Sequence, residues 1–129
     1  MHAPITALWA GILGLLSLAL AMFVARARSS ENVIFGDGAN IVLQQRIRVH
    51  GNFVEYVPIA LVLLLVLELN TSSALVLNAL GGTLVVGRLL HAFGLSSSTG
   101  TTFGRFVGTV LTWLVVLVAS VLALYARFA

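Results

Sequence analysis

Arg48, Asn52 and Glu55 are spaced so that, on a helix, all three side chains leave from one face. Residues advance by about 100° each, so positions i, i+4 and i+7 nearly coincide. They belong to the stretch QRIRVHGNFVEYVP (residues 45–58), where an otherwise oily chain gathers its polar groups, with Gln45 and Tyr56 flanking the row. The stretch runs straight into IALVLLLVL, a segment suited to lipid. Polar side chains written into the start of a membrane helix are costly, which marks a functional site by default. Arg46 and His50 form a second i, i+4 pair on nearly the opposite side of the same helix. Two polar faces make sense if this helix stands between two protein neighbours, so an oligomer is expected, with each site assembled across a subunit boundary.

Further along, Arg88 and His91 are i, i+3 neighbours, and Arg105 opens the last apolar run. Arginines gathered around one carboxylate describe a site for an anionic ligand, whose ammonium group Glu55 would receive. The competing reading is structural. Arg48 and Glu55 could satisfy charges on neighbouring helices, Arg46 and His50 could snorkel to headgroups, and each remaining cation could be an ordinary anchor at the inner membrane surface. Cost argues against it for Glu55, because a carboxylate on a lipid-facing wall is unfavourable by roughly 2.5–3.5 kcal/mol. Pro58 removes a helical N–H, frees the Val54 carbonyl and is expected to bend the helix beside Glu55. A tolerated kink without a role is the plainer alternative.

Other chemistries find no residues. His50 and His91 have no second histidine or carboxylate at i+3 or i+4, so metal ligation is not expected. No Ser-His-Asp set, phosphate loop or nucleotide fingerprint is present. The chain has no cysteine, which excludes disulfides and a protein-borne sulfur nucleophile. If thiol chemistry occurs here, the sulfur arrives with a ligand. The basic residues are few and tied to helix ends, so nucleic acid is not an expected partner.

The elements that position these groups follow from hydropathy. The chain has 129 residues, 60% of them hydrophobic and 9% charged, with a mean hydropathy of +1.09. Soluble domains carry about 25% charged residues. The formal charge of +3 comes from arginine alone, since lysine is absent, and arginine favours fixed, directional contacts to carboxylates and phosphates. A bilayer core needs about 20 apolar residues, and Ile5–Val24 supplies such a run. Ala25-Arg26-Ala27 loosely imitates a signal cleavage site, but MHAP at the start carries no lysine or arginine, so a retained helix is predicted.

One domain over residues 1–129 is expected, with spans at about 5–25, 39–69, 74–94 and 103–126. The connections are a polar loop over Ser29–Asn40, a tight turn over Asn70–Ser73 and a loop over Gly94–Thr102. Gly81, Gly82 and Gly87 allow close backbone approach, and Gly104 with Gly108 makes a small-xxx-small pair. Arg26, Arg28, Arg46, Arg48, Arg88 and Arg105 all border the two loops placed inside, and only Arg127 lies at the outer end. The positive-inside rule then puts both termini outside: an all-α integral membrane protein with its polar cluster at the cytoplasmic face.

The pattern Arg48-Val-His50-Gly-Asn52-Phe-Val-Glu55-Tyr56-Val-Pro58, in a four-span chain of this length, resembles the MAPEG family, the membrane-associated proteins in eicosanoid and glutathione metabolism, and looks like a bacterial member. The resemblance implies a homotrimer of left-handed four-helix bundles in the inner membrane, with glutathione held between subunits in the cytoplasmic half of the bilayer. By the same resemblance Arg48, Asn52, Glu55 and Tyr56 contact glutathione, the position of His50 is contributed by the neighbouring subunit, and Arg26 or Arg28 reaches the tripeptide from the first helix. Arg88 matches a family arginine on the third helix, and Arg105 matches the arginine that holds the thiolate. Tyrosines that line the site in some members have no counterparts, and His91 and Leu95 stand roughly in their place.

The implied activity is glutathione transfer to lipophilic electrophiles, or reduction of a lipid hydroperoxide. Two other classes stand beside it. One is a non-catalytic lipid-binding or scaffold protein of the same fold. The other is a small multidrug-type exporter, which would need an acid within its first span, where Ile5–Val24 has none.

Overall fold

In the computed structural model, residues 2–70 and 72–128 are described, apart from the side chain of Arg127. Four long helices carry the chain: α1 (Pro4–Glu31), α2 (Ile41–Leu69), α3 (Ala74–Ser97) and α4 (Phe103–Phe128). They have 28, 29, 24 and 26 residues, so even α3 is about 36 Å long at 1.5 Å per residue. That exceeds the roughly 30 Å of a bilayer core. All four are long and apolar enough to cross a membrane.

The helix ends have local causes. Pro4 opens α1 where its missing N–H is no loss. The next two donors, the N–H groups of Ile5 and Thr6, reach the Glu68 carboxylate at 2.9 and 2.6 Å. A carboxylate at a helix N-terminus also meets the positive end of the helix dipole. Glu68 thus ties the start of α1 to the end of α2. The Asn40 side chain caps α2 by accepting from the Leu43 N–H at 3.0 Å, and Ser73 caps α3 by accepting from the Leu75 N–H at 3.2 Å.

α1 runs past its expected end near residue 25 and takes in Ser29–Glu31, which the hydropathy reading assigned to the loop. Leaving lipid does not stop a helix, and Ala25–Arg28 are good helix formers. The stop comes at Asn32, in the left-handed region at φ 54°. Likewise α3 continues through Gly94 to Ser97, beyond its expected end at 94. Gly94 is a packing glycine, not a loop signal: a Cβ there would meet the backbone N of Arg105 and, at 2.5 Å, the Thr102 hydroxyl. α2 passes through Pro58 without interruption. The expected turn at 70–73 includes Thr71, which lies outside the described residues, as does the side chain of Arg127.

α2 and α3 pack against each other and both pack against α1 and α4, while α1 and α4 do not touch among the described residues. The core contains Leu13 and Leu20 of α1, Phe53, Ala60 and Leu64 of α2, Leu77 and Leu84 of α3, and Val115 and Ala119 of α4. In lipid such burial gains little from the hydrophobic effect, because acyl tails are as apolar as leucine, so close packing must hold the helices. The glycines provide it. Trp9 of α1 lies flat against Gly81 and Gly82 of α3, and α3 crosses α4 through Gly87, Gly94, Gly104 and Gly108. A Cβ on Gly104 would stand 2.9 Å from the Leu90 carbonyl oxygen. Of the three glycines expected to allow close approach, Gly81 and Gly87 leave no free room and Gly82 makes only ordinary contact. Gly104 and Gly108 serve this internal crossing.

Candidate functional site

At the end of the bundle that carries the α1–α2 and α3–α4 loops, a cleft of about 200 Å³ opens between α2, α3 and the start of α4. Gln44, Gln45, Arg48 and Asn52 line it from α2, His91 and Leu95 from α3, Thr99 from the following loop, and Arg105 from α4. α2 delivers its residues by helical periodicity alone. Arg105 is delivered by the glycine crossing, since Gly104 lets the first turn of α4 lie against the Leu90 carbonyl one turn above Gly94. Three of the groups expected to converge, Arg48, His91 and Arg105, therefore line the same cleft as Asn52.

Glu55 pairs with Arg48 at 3.8 Å. The two side chains are 50% and 61% exposed, so Arg48 forms an open wall of the cleft in a single chain and Glu55 pairs with it from outside the lining. Among the described residues the Arg105 guanidinium makes one long bond, 3.5 Å to the Gly100 carbonyl, and Arg105 lines the cleft. Gln45 donates to the Leu95 carbonyl at 3.4 Å, which ties α2 to the end of α3.

Arg88 differs from the expectation of a ligand contact. It is only 2% exposed and does not line the cleft. Its Nη1 donates to the Asn52 Oδ1 at 2.8 Å and to the Asn52 main-chain carbonyl at 3.3 Å, so it lies directly behind the cleft wall. Among the described residues, Nε and Nη2 are buried without hydrogen-bond partners.

The remaining site residues sit elsewhere in the single chain. Tyr56 and His50 are half-buried on α2 and outside the cleft. Arg46, four residues before His50, donates to the Phe23 carbonyl of α1 at 3.2 Å, so the second polar face turns towards α1. Arg28 is occupied with the α1–α2 loop, donating to the Gly36, Ile34 and Val33 carbonyls at 2.8, 3.4 and 3.5 Å. Arg26 is exposed. Thr99 and Gln44, which line the cleft, carried no signal in the sequence: one is a loop threonine among several, the other a surface amide one turn before Arg48. Among the described residues, no group of three or more His, Asp or Glu side chains comes together.

Chemically, the guanidiniums of Arg48, Arg105 and, one layer back, Arg88 outnumber the single Glu55 carboxylate. The cleft is a donor-rich cavity with excess positive charge, suited to a small molecule bearing carboxylates.

The chain is 41% identical to the inner membrane protein YecN of Escherichia coli K12 over 90 residues, which is 70% of this chain and 69% of that protein. The same identity and coverage hold for YecN of the O6:H1 strain CFT073. The model of the MAPEG family matches residues 6–125, from the first turns of α1 to the last turns of α4. Four membrane-length helices and a match over nearly the whole chain make this protein a member of the MAPEG family.

Proposed function

We propose that the protein is a membrane-bound glutathione-dependent transferase of lipophilic electrophiles, with peroxidase chemistry available to the same thiolate. The observation that carries this reading is the convergence of Arg48, Asn52, His91 and Arg105 from three helices on one cleft, with Glu55 paired to Arg48. Glutathione offers two carboxylates, an ammonium and a thiol to such a set. Guanidiniums pair with carboxylates in fixed geometry, and Glu55 accepts from the ammonium. The 3.8 Å pair between Glu55 and Arg48 is long and exposed, and pairs of that kind contribute little, so both groups can turn to a zwitterionic ligand.

The volume supports an assembly. A single chain encloses about 200 Å³, less than the roughly 300–1,000 Å³ of small-molecule pockets. Its open side is the exposed Arg48–Glu55 row, which in a bilayer needs protein cover. A second copy supplies that cover, and the reading includes the homotrimer, with His50 and one α1 arginine arriving from the neighbour. Positive-inside charge supports a cleft at the cytoplasmic face and both termini in the periplasm. YecN is named an inner membrane protein, which supports the same membrane here.

In this mechanism Arg105 stabilises the thiolate. A free thiol has a pKa of about 8.5, and cationic neighbours bring it to roughly 7.5 or lower. One unit corresponds to about 1.36 kcal/mol, a modest demand on one guanidinium. The thiolate attacks an electrophilic carbon of a substrate entering from the bilayer; the carbon–sulfur bond forms as the leaving group departs or the ring opens.

Calorimetry of glutathione binding to the purified protein, with turnover of a generic aryl halide, tests the reading. Wild type should bind and turn over, Arg48→Ala should lose most binding, and Arg105→Ala should lose turnover by about 10²-fold or more while retaining part of the affinity. No binding by wild type overturns the reading. Binding without turnover identifies a non-catalytic member of the fold. Full turnover by Arg105→Ala removes the thiolate role from that residue.

A further inference from the structure

An amide can present either its carbonyl or its NH₂ to a cleft, and at Asn52 the choice is made from behind. A guanidinium can only donate, so the Asn52 side-chain atom 2.8 Å from Arg88 Nη1 is the carbonyl oxygen. We infer that Arg88 is a positioning residue: buried between α2 and α3, it holds the Asn52 carbonyl oxygen and thereby turns the Asn52 NH₂ into the cleft as a donor to a ligand carboxylate or carbonyl. The wall formed by Arg48, Asn52 and Arg105 then consists of donors throughout.

Energetics separates this from a structural role. Arg88 is 2% exposed, its Nε and Nη2 have no partners, and no carboxylate pairs with it among the described residues. A buried charge satisfied by one neutral amide and one main-chain carbonyl is a poor way to stabilise a bundle, and an apolar side chain of similar length often serves a fold as well or better. What an apolar side chain cannot do is choose the orientation of Asn52. The second bond, 3.3 Å to the Asn52 main-chain carbonyl, anchors the guanidinium on the same residue, so the amide has one orientation relative to the cleft.

The inference rests on the glutathione reading only for the identity of the ligand, and the test keeps the two apart. Asn52→Asp places a carboxylate against Arg88 and removes the NH₂. Its unfolding temperature in detergent should rise, because the buried charge gains a counter-ion, while glutathione affinity falls at least tenfold. Arg88→Met should hold or raise the unfolding temperature and weaken glutathione about tenfold, the scale of one hydrogen bond to a charged group. In an Asn52→Ala background, Arg88→Met should cost nothing further, since it acts only through the amide. Losses that multiply in the double variant show that Arg88 meets the ligand itself or holds the fold, and overturn the inference. So does a lowered unfolding temperature for Asn52→Asp, which needs no ligand and decides the matter alone if Arg88→Met does not fold. Absence of glutathione binding in wild type defeats the proposed function and leaves the Asn52→Asp shift to judge the Arg88–Asn52 arrangement.

Discussion

Arg26 and Arg28 lie two residues apart on α1 and have different tasks. Arg28 gathers the carbonyls of Val33, Ile34 and Gly36 and so folds the start of the α1–α2 loop back on the helix end. Positive φ angles at Asn32, Gly36, Gly38 and Ala39 give that loop its tight course. Arg26 is exposed and makes no such bonds among the described residues. In the proposed trimer, the arginine available to reach a neighbouring subunit's cleft is therefore Arg26. Arg26→Ala should weaken glutathione affinity about five- to tenfold, the loss of one charge-assisted bond. Arg28→Ala should leave affinity unchanged and speed protease cleavage within residues 32–40. Calorimetry and limited proteolysis of the two variants give the answer, and the reverse pattern would assign the ligand contact to Arg28. The sequence could not choose between them, because the choice depends on where a loop returns its carbonyls. The row Arg48–Asn52–Glu55 was legible for the opposite reason: helical periodicity alone puts those residues on one face. Arg88 was legible as a cation near the site but not as a buried one, since its depth depends on how α3 meets α2.

At the scale of elements, the geometry of the site is set where α3 crosses α4. His91 and Arg105 belong to different helices, and the glycines at 87, 94, 104 and 108 bring the two backbones together. The four helices themselves were legible, because about 20 apolar residues in a row admit few other structures in a membrane. Their ends were less so. Polarity marks the edge of lipid, whereas a helix stops at a cap or a left-handed residue, which is why α1 outran its hydropathy to Asn32. Gly94 misled for a related reason: a packing glycine and a loop glycine look alike until the partner helix is placed. Gly104→Ala puts a methyl 2.9 Å from the Leu90 carbonyl, and overpacking of this kind costs about 1–3 kcal/mol. Thermal unfolding in detergent should show that loss. Aryl-halide turnover should fall further than glutathione affinity, because Arg105 moves with the first turn of α4. Gly11→Ala, where a Cβ would meet nothing within 4 Å, is the control and should be neutral or slightly stabilising. Equal losses for the two variants would show that the crossing does not position Arg105.

For the whole molecule, the exposed side of α2 is the decisive surface. Gln44, Arg48, Glu55, Ile59, Val62 and Val66 form one stripe along the helix, polar at the loop end and apolar below. The apolar part could face lipid without penalty. The polar part could not, and a rigid helix cannot turn one half towards protein and the other towards lipid without carrying both to the same boundary. The proposed trimer therefore predicts that Val62, 53% exposed in the single chain, lies against a neighbour although nothing about its chemistry demands it. The absence of cysteine makes this testable with a single substitution. If α2 stands beside the three-fold axis, as the family resemblance implies, Val62→Cys in native membranes should cross-link under mild oxidation. In a ring of three such chains one disulfide leaves the third thiol unpaired, so cross-linked dimers should plateau at about two chains in three. Leu117→Cys, on the outward side of α4 and 59% exposed, should remain monomeric under the same conditions. Complete conversion of Val62→Cys to dimers would indicate a two-fold assembly. No cross-linking at Val62 with efficient cross-linking at Leu117 would put α4 at the boundary between chains, and the Arg48–Glu55 row would lose the cover that a shared site requires.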